Sequence, residues 1–569
     1  MRVLLIPAKS NYPSIAPTVD HVGQALPYLA AALKAKGHEV YGMNMAHQRC
    51  QPSAEAILKR SLKKYISMYK PDIIGLSGLS ADFLFVRDTI RIIRNVSPNT
   101  PIIGGGGLFS SDLNFVFSEL QPDFAVIGEG EKTIVELLDS LNGKRNYDSI
   151  PGIAYWNDRK PVYNQTRKPI DDLDELPFPD YSPFDFETYL MMLNQKDGYF
   201  HCRTRQNPRL MPVSAARSCA FNCTFCYHTT GKKYRVRAID KVISEIAYFY
   251  ERYQFNILKL YDELFSIDEN RVRRFCECMR ELKYDIDWSC SLRVSDVNLD
   301  MLREMKEAGC IHVGYGMESA SPEVLASMNK KTTIEQIRNA IELTEKAGIG
   351  VQGTFIFGDI VETQDTIMQT ISFYNNYCRD HIIHCDYITP YPGSTIFNYC
   401  IENKIITDKR NYYKNIHRRP RINMTKLSYK DFRKSIDRIV SNRFDGVRSS
   451  SIRSCERKNS YDFKINNQRS MHLGNYKVSV ICPHCGKVIS YLFPLKNGSS
   501  EPLLNICSKC NKKFVILPFE PRTLDNQSKN FLKKKVMLSI EQLLIKLRFA
   551  RIIYNFLFRI SRIFFPKPL

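Results

Sequence analysis

Three thiols stand close together near the middle of the chain, in Cys219-Ala-Phe-Asn-Cys223-Thr-Phe-Cys226. Spaced Cys-x3-Cys-x2-Cys, they can hold three corners of a 4Fe-4S cube and leave the fourth iron for a non-protein ligand, and an open iron is a reactive one. A structural zinc knuckle is the competing chemistry. It wants four protein ligands, usually from two Cys-x2-Cys units, and His228 is at hand as a fourth. A second set of thiols has that character. Cys482-Pro-His-Cys485 and Cys507-Ser-Lys-Cys510 are two knuckles separated by 21 residues, with no open position among four thiolates. They predict a structural zinc ribbon over 471–520, with rubredoxin-type iron as the alternative.

A reactive iron must be carried by something rigid. The run "MPVSAA" ahead of Cys219 reads as a buried strand, and loops beyond the carboxyl ends of strands are where α/β barrels place their chemistry. "NILKLYDELF", "IDWSCSLR", "IHVGYGMES", "GVQGTFIFGD" and "CDYITPYPGS" read as five more strands, separated by helical stretches such as Ala238–Arg252 and Glu335–Ala347. Together they predict a partial (β/α)6 TIM-like barrel over 213–400. The first 150 residues alternate in the same way, with strands at Arg2–Ile6, Glu39–Met43, Asp72–Leu76, Pro101–Ile103 and Asp123–Val126. They predict a doubly wound parallel α/β sheet over 1–150. Gly104-Gly105-Gly106-Gly107 and Gly128-Glu129-Gly130-Glu131 follow two of those strand ends, where ligands of such folds gather and where glycine lets backbone approach them closely. Glycine alone does not name the ligand. Residues 151–212, with "DDLDELPFPDY", read as a turn-laden linker.

The length of 569 residues implies several domains, and 44% hydrophobic with 25% charged residues is ordinary for a globular protein. Of 17 cysteines, seven lie in metal-type spacings and ten stand singly, which predicts a reducing compartment and a cytoplasmic protein. Val3–Ile6 is too short for the apolar core of a signal peptide. The charge is uneven: residues 1–400 carry 45 basic against 48 acidic side chains, residues 401–569 carry 36 against 11. The basic end contains a helical linker region over 401–470, with a helix at Tyr429–Arg443, and a basic amphipathic helix over 528–566. Lys546, Arg548, Arg551, Arg559 and Arg562 interrupt every apolar run of that helix, so it cannot span a bilayer. Lying on an anionic membrane surface and packing back on the protein both suit it, and nucleic acid is the further candidate for so basic a region.

The cysteine triad, with aromatic Phe225 before its last member, resembles the radical S-adenosylmethionine superfamily. That resemblance implies a reduced 4Fe-4S cluster on Cys219, Cys223 and Cys226 that splits S-adenosylmethionine into methionine and a 5′-deoxyadenosyl radical. It implies that Asp262 and Glu263 accept from the methionine ammonium, that Arg293 and Glu318 lie near the sulfonium, carboxylate and ribose, and that the Gly353 strand backs the adenine. Asp359-Ile360-Val361 stands where the family has Leu-Pro-Gly, which puts that turn in question. "PDIIGLSGLS", "PIIGGGG" and "PDFAVIGEGEKTIVELL" resemble the cobalamin-binding domain that precedes many such enzymes, which implies cobalamin against Gly104, Gly105 and Gly128. The Asp-x-His-x-x-Gly element is missing: Asp20-His21-Val22-Gly23 has the wrong spacing and His47 lacks the frame. A cobalt without a lower histidine is then implied. The expected activity is cobalamin-dependent methylation of an unactivated carbon in a small-molecule or lipid-like substrate, fed by an external electron donor. Ring closure or rearrangement is one alternative. RNA modification through the ribbon and basic tail is another, although RNA-modifying relatives carry three further cluster cysteines near the amino terminus and here only Cys50 precedes residue 200.

Overall fold

The computed structural model describes residues 1–9, 12–13, 23–45, 53–143, 146–193, 205, 207–442, 447–450, 452–458, 474–495 and 503–517. The 528–566 helix, His21, His47 and Cys50 lie outside the described residues. The chain divides into two compact units, the first being Met1–Glu456, Lys477–Phe493 and Leu504–Ile516. Of the second, only 457–458, 474–476, 494–495, 503 and 517 are described, nearly all of them strand ends.

Within the first unit, β1 (Arg2–Pro7), β2 (Glu39–Gly42), β3 (Ile73–Ser77), β4 (Ile102–Gly105), β5 (Phe124–Val126), β6 (Ile153–Asn157) and β7 (Lys160–Tyr163) make one sheet in the order β2-β1-β3-β4-β5-β6-β7. The first five strands are parallel. Their apolar runs follow from burial on both faces: Val3, Leu4, Leu5 and Ile6 are all fully buried. Helices Ala25–Ala35 and Glu131–Leu141 cover one face, and Ala54–Tyr69 and Phe83–Val96 the other. Order reverses between β1 and β3, so the ligand crevice of this doubly wound sheet lies at their carboxyl ends.

The linker expected over 151–212 begins instead as a hairpin. Strands β6 and β7 add to the sheet antiparallel, joined through Asp158 and Arg159 at φ 47° and 63°. Two consecutive left-handed residues make the tight hairpin turn whose usual signal is Asn-Gly, and that signal is missing here.

After β8 (Leu210–Val213) come a short antiparallel pair, β9 (Ala216–Arg217) and β10 (Arg235–Val236), and then β11 (Ile257–Leu260), β12 (Asp287–Leu292), β13 (Cys310–Glu318), β14 (Gly350–Phe357) and β15 (Ile382–Tyr387). Strands β8 and β11–β15 form a six-stranded parallel sheet in the order β8-β11-β12-β13-β14-β15. Alternation along each strand sorts its residues. Trp288 turns outward to meet Phe275 of the helix Glu269–Leu282 edge-on at 5.2 Å, while Ser291, Gly314, Gln352 and His384 line the interior.

The basic linker expected over 401–470 is packed in its first part. Tyr413 is buried among Phe83, Phe109 and Phe117 of the first sheet's core, with its hydroxyl donating to Asp112 at 3.0 Å. The helix Tyr429–Asn442 buries Phe432 and Ile439 in the barrel core. Further on, the strands Gly474–Ile481, Val488–Leu495, Leu503–Ile506 and Lys513–Ile516 surround the two cysteine knuckles. This module sits at the amino-terminal ends of β14 and β15, away from the triad: the Lys513 ammonium donates to the Tyr374 hydroxyl at 2.9 Å, and Lys512 pairs with Glu345 at 2.6 Å. Among the described residues no helix is long and apolar enough to cross a membrane.

Candidate active site

The cysteine loop leaves β9 and returns through β10, so a two-rung antiparallel ladder closes its neck. Ser218, left-handed at φ 67°, donates to the Gly231 carbonyl and ties the two sides together. The middle of the loop is pinned from below: Thr224 N donates to Met328 O at 3.1 Å, and Ile396 N donates to Thr224 O at 3.0 Å. Phe225 packs with the apolar cluster of Val324, Met328, Ile396 and Phe397, which anchors the loop between two cysteines. Cys219, Cys223 and Cys226 then face a cavity of 510 Å³, within the roughly 300–1,000 Å³ typical of cofactor-sized ligands.

His228 is no fourth ligand. Its Nδ1 lies 3.1 Å from Glu263 Oε2 and its Nε2 3.0 Å from Phe221 O. Among the described residues only Cys482, Cys485, Cys507 and Cys510 bring three or more metal-ligating atoms all within 4.8 Å of one another; the three sulfurs of the triad do not all close to that distance. The Cys223 thiol is held below its usual value, chiefly by a hydrogen bond from Cys226 and, against burial, by the nearby Lys330 ammonium. Three thiols facing one cavity without a fourth protein ligand fit an open cluster.

The strand-end residues separate into two groups. Glu263, Arg293, Glu318 and Gly353 all line the cavity. Glu318 is left-handed at φ 64°, where the β13–β14 register shifts, and a non-glycine residue held so costs about 1–3 kcal/mol. The kink aims its carboxylate at Lys330, 3.0 Å away. Burial alone would lower the Lys330 ammonium, but Glu318 reverses this and raises it. The Arg293 guanidinium stacks on the Phe221 ring at 3.5 Å and donates to the carbonyls of Lys330 and Lys331. Asp262 belongs to the other group and corrects the expectation that both acids of "LYDELF" face the cosubstrate. It is buried beneath the loop, accepting from Ala215 N at 2.7 Å and Ala216 N at 3.1 Å, and burial pushes it up to about 7 against those two donors. Its work is to shape the chain leading into Cys219.

Lys330, Tyr227, Gln352 and His384 share the cavity and were not singled out by sequence. Lys330 sits in the "MNKKTT" turn, where a lysine carries no periodic signal.

The departure after β14 is built from carboxyls. Asp359 Oδ1 accepts from the Ser327 hydroxyl at 2.6 Å and Val361 N at 3.1 Å, and Glu362 Oε2 accepts from Gly358 N. Burial pushes Glu362 from 4.5 up to about 8. Over that window the folded chain holds a proton that the unfolded chain has released, so stability falls as pH rises. Glu362→Gln keeps the shape without the titration. We expect it to remove part of the decline in urea midpoint across that window, and an undiminished slope would refute the assignment.

At the carboxyl edge of the first sheet the glycines divide likewise. A Cβ on Gly104 would fall inside the Phe109 ring, so that glycine answers a core aromatic rather than a ligand. Gly105 would meet only ordinary contacts, with Val126 O at 3.7 Å the nearest. Gly128, at φ 74°, has nothing within 4 Å of a Cβ position and faces open space. Leu79, 57% exposed, stands at the end of β3 on the same edge. An open shelf with an exposed apolar side chain and a bare backbone turn fits the face of a large macrocycle, and no histidine among the described residues stands on it.

The acids between the glycines turn to the cysteine loop. Glu129 meets Arg217 at 2.8 Å and Arg235 at 2.8 Å, and Glu131 meets Arg217 at 2.6 Å. Ile170 N donates to Glu129 at 2.6 Å. Burial opposes charge on Glu129, but the hydrogen bonds from Arg235 and Arg217 outweigh it and hold the carboxyl below its usual value. Arg217 and Arg235 are the two ends of the loop's neck, so the first domain grips the cluster loop directly.

Comparison with known proteins agrees with both halves. Residues 213–374 match the Radical SAM superfamily, and residues 16–138 match the B12 binding domain. An uncharacterized methyltransferase of Pyrococcus horikoshii is 29% identical over 357 residues, covering 62% of this chain and 74% of the relative. The anaerobic magnesium-protoporphyrin IX monomethyl ester cyclase of Rubrivivax gelatinosus is 29% identical over 380 residues, 65% of this chain and 64% of its own. The match therefore spans less than two thirds of the cyclase. The fold is that of the methyltransferase TsrM from Kitasatospora setae, solved with cobalamin and a [4Fe-4S] cluster (TM-score 0.59, 20% identity, 71% of this chain and 78% of that one). It is also that of the cobalamin-dependent S-adenosylmethionine radical enzyme OxsB (TM-score 0.61, 17% identity, 78% and 67%). The chain thus carries a radical S-adenosylmethionine region over residues 213–374 and a B12-binding domain over residues 16–138.

Proposed function

We propose that the protein methylates an unactivated carbon of a small-molecule or lipid-like substrate, using S-adenosylmethionine, a 4Fe-4S cluster and cobalamin. The observation that carries this reading is the meeting of two sites: the cavity bearing Cys219, Cys223 and Cys226 is walled by a loop that the B12-binding domain holds at its neck. When bound, the cofactors supply an electron for the sulfonium and a methyl group for the substrate carbon. The chain's own residues position and shield. Glu263, steadied by His228, offers an acceptor for the ammonium of the cosubstrate, and Glu318, fixed through one oxygen by Lys330, keeps the other for a ribose hydroxyl. A Cβ on Gly353 would come 2.8 Å from Met317 Cε and 2.9 Å from Tyr315 O, so that glycine answers core packing, and the strand offers the adenine its backbone between Gln352 and Thr354, which line the cavity. Cys482, Cys485, Cys507 and Cys510 fit one structural zinc: His484 N donates to Cys482 Sγ at 3.4 Å, and Lys509 N and Cys510 N donate to Cys507 Sγ at 3.3 Å.

Anaerobic reconstitution with S-adenosylmethionine, cobalamin and a reductant should yield 5′-deoxyadenosine and S-adenosylhomocysteine together, from protein holding iron, cobalt and one zinc. The cyclase relative favours a second reading, ring closure without methyl transfer, in which 5′-deoxyadenosine forms alone. Iron without cobalt after growth in excess cobalamin would overturn the methyltransferase reading.

A further inference from the structure

Tyr227 follows the last cysteine of the triad and lines the same cavity, yet the chemistry above leaves it without a part. Its ring is held between two other pieces of chain. A Cβ on Gly393, in the loop after β15, would collide with the ring, and one on Gly107, in the turn after β4, would come 2.8 Å from Leu79 Cδ2 and 3.0 Å from Thr229 Cγ2, with Tyr227 Cε1 in ordinary contact at 3.9 Å. Gly393 is therefore required by the tyrosine, and Gly107 by Leu79 and Thr229. The Tyr227 hydroxyl lies beside the Ser110 side chain, and Gly128 N donates to Ser110 Oγ at 2.9 Å. A continuous path of contacts thus runs from the Gly128 turn through Ser110 and Tyr227 to Cys226. The Gly128 end opens on the macrocycle shelf, and the Cys226 end opens on the cluster cavity.

We propose that Tyr227 is a positioning residue that sets the spacing between the cluster loop and the carboxyl edge of the B12-binding domain. The ring acts as the spacer, and the Ser110 side chain sets its angle. The arrangement orders two loops that the Glu129 clamp holds on their far side, and a methyl donor and a radical source are productive only at a fixed separation. The functional consequence rests on the two-cofactor reading; the mechanical one does not.

The test uses full-length protein reconstituted with cluster alone. Hydrogen exchange in the Tyr227→Phe variant should rise several-fold in segments 107–111 and 219–230 together, with iron content unchanged. Tyr227→Ala should raise both further. Exchange that rises in one segment only, or in neither, would overturn the spacer. With cobalamin added, the magnetic interaction between the reduced cluster and cob(II)alamin should weaken in Tyr227→Ala while both cofactors stay bound; an unchanged interaction would overturn the spacing role. Failure of the wild-type protein to take up cobalamin would count against the two-cofactor reading instead, and the exchange result would still judge Tyr227.

Discussion

Cys223→Ala should reduce 5′-deoxyadenosine formation to the background of cluster-free protein while leaving the fold within about 1 kcal/mol of the original. The loss is total because three thiolates are the fewest that hold a cube with one open iron, and His228, committed to Glu263 and Phe221, cannot substitute. The fold survives because the loop is held elsewhere, by the ladder at its neck and by Phe225 below. Iron analysis, product assay and thermal unfolding on one preparation check the three parts. Retained 5′-deoxyadenosine formation would show that Cys223 is not a cluster ligand.

Glu129→Gln should cost about 3–5 kcal/mol of stability, the penalty for leaving a buried ion pair without one partner. Arg235 is 3% exposed and Glu129 4%, so neither side chain can turn to water when the other loses its charge. The Thr230, Lys233 and Ile170 carbonyls still accept from Arg235, but carbonyls do not neutralise a guanidinium. Arg235→Met in the same background should recover much of the loss, because the double variant buries no unpaired charge. Urea unfolding of the two single variants and the double closes the cycle. Additive losses would mean that the Glu129 and Arg235 charges are not coupled.

The strands were legible because parallel strands covered on both faces become unbroken apolar runs, such as Val3–Ile6 and Ile73–Leu76, and the triad was legible because cluster chemistry fixes its spacing. What escaped depends on direction rather than residue type. "LYDELF" puts two acids side by side, and nothing in the sequence says that Asp262 goes under the loop while Glu263 faces the cavity. Glu129 and Glu131 looked like parts of a ligand turn because their partners, Arg217 and Arg235, lie about a hundred residues away. The β6–β7 hairpin hid behind an Asp-Arg turn, and Lys330 beside a second lysine in a turn without periodic signal.

Tyr413 bears on the order in which the protein comes off the ribosome. Its ring completes a core otherwise made from the first 156 residues, tilted against Phe83 and Phe115 and flanked by Arg410 on Glu119 at 2.7 Å and Lys409 on Asp112 at 2.6 Å. At 5–20 residues per second of synthesis, the amino-terminal domain waits roughly 12–50 s for that tyrosine after its own last strand has emerged. During the wait Phe83 and Phe115 have no cover from it, and a ribosome stalled before residue 409 would carry a nearly finished domain with its aromatic side still open to chaperones.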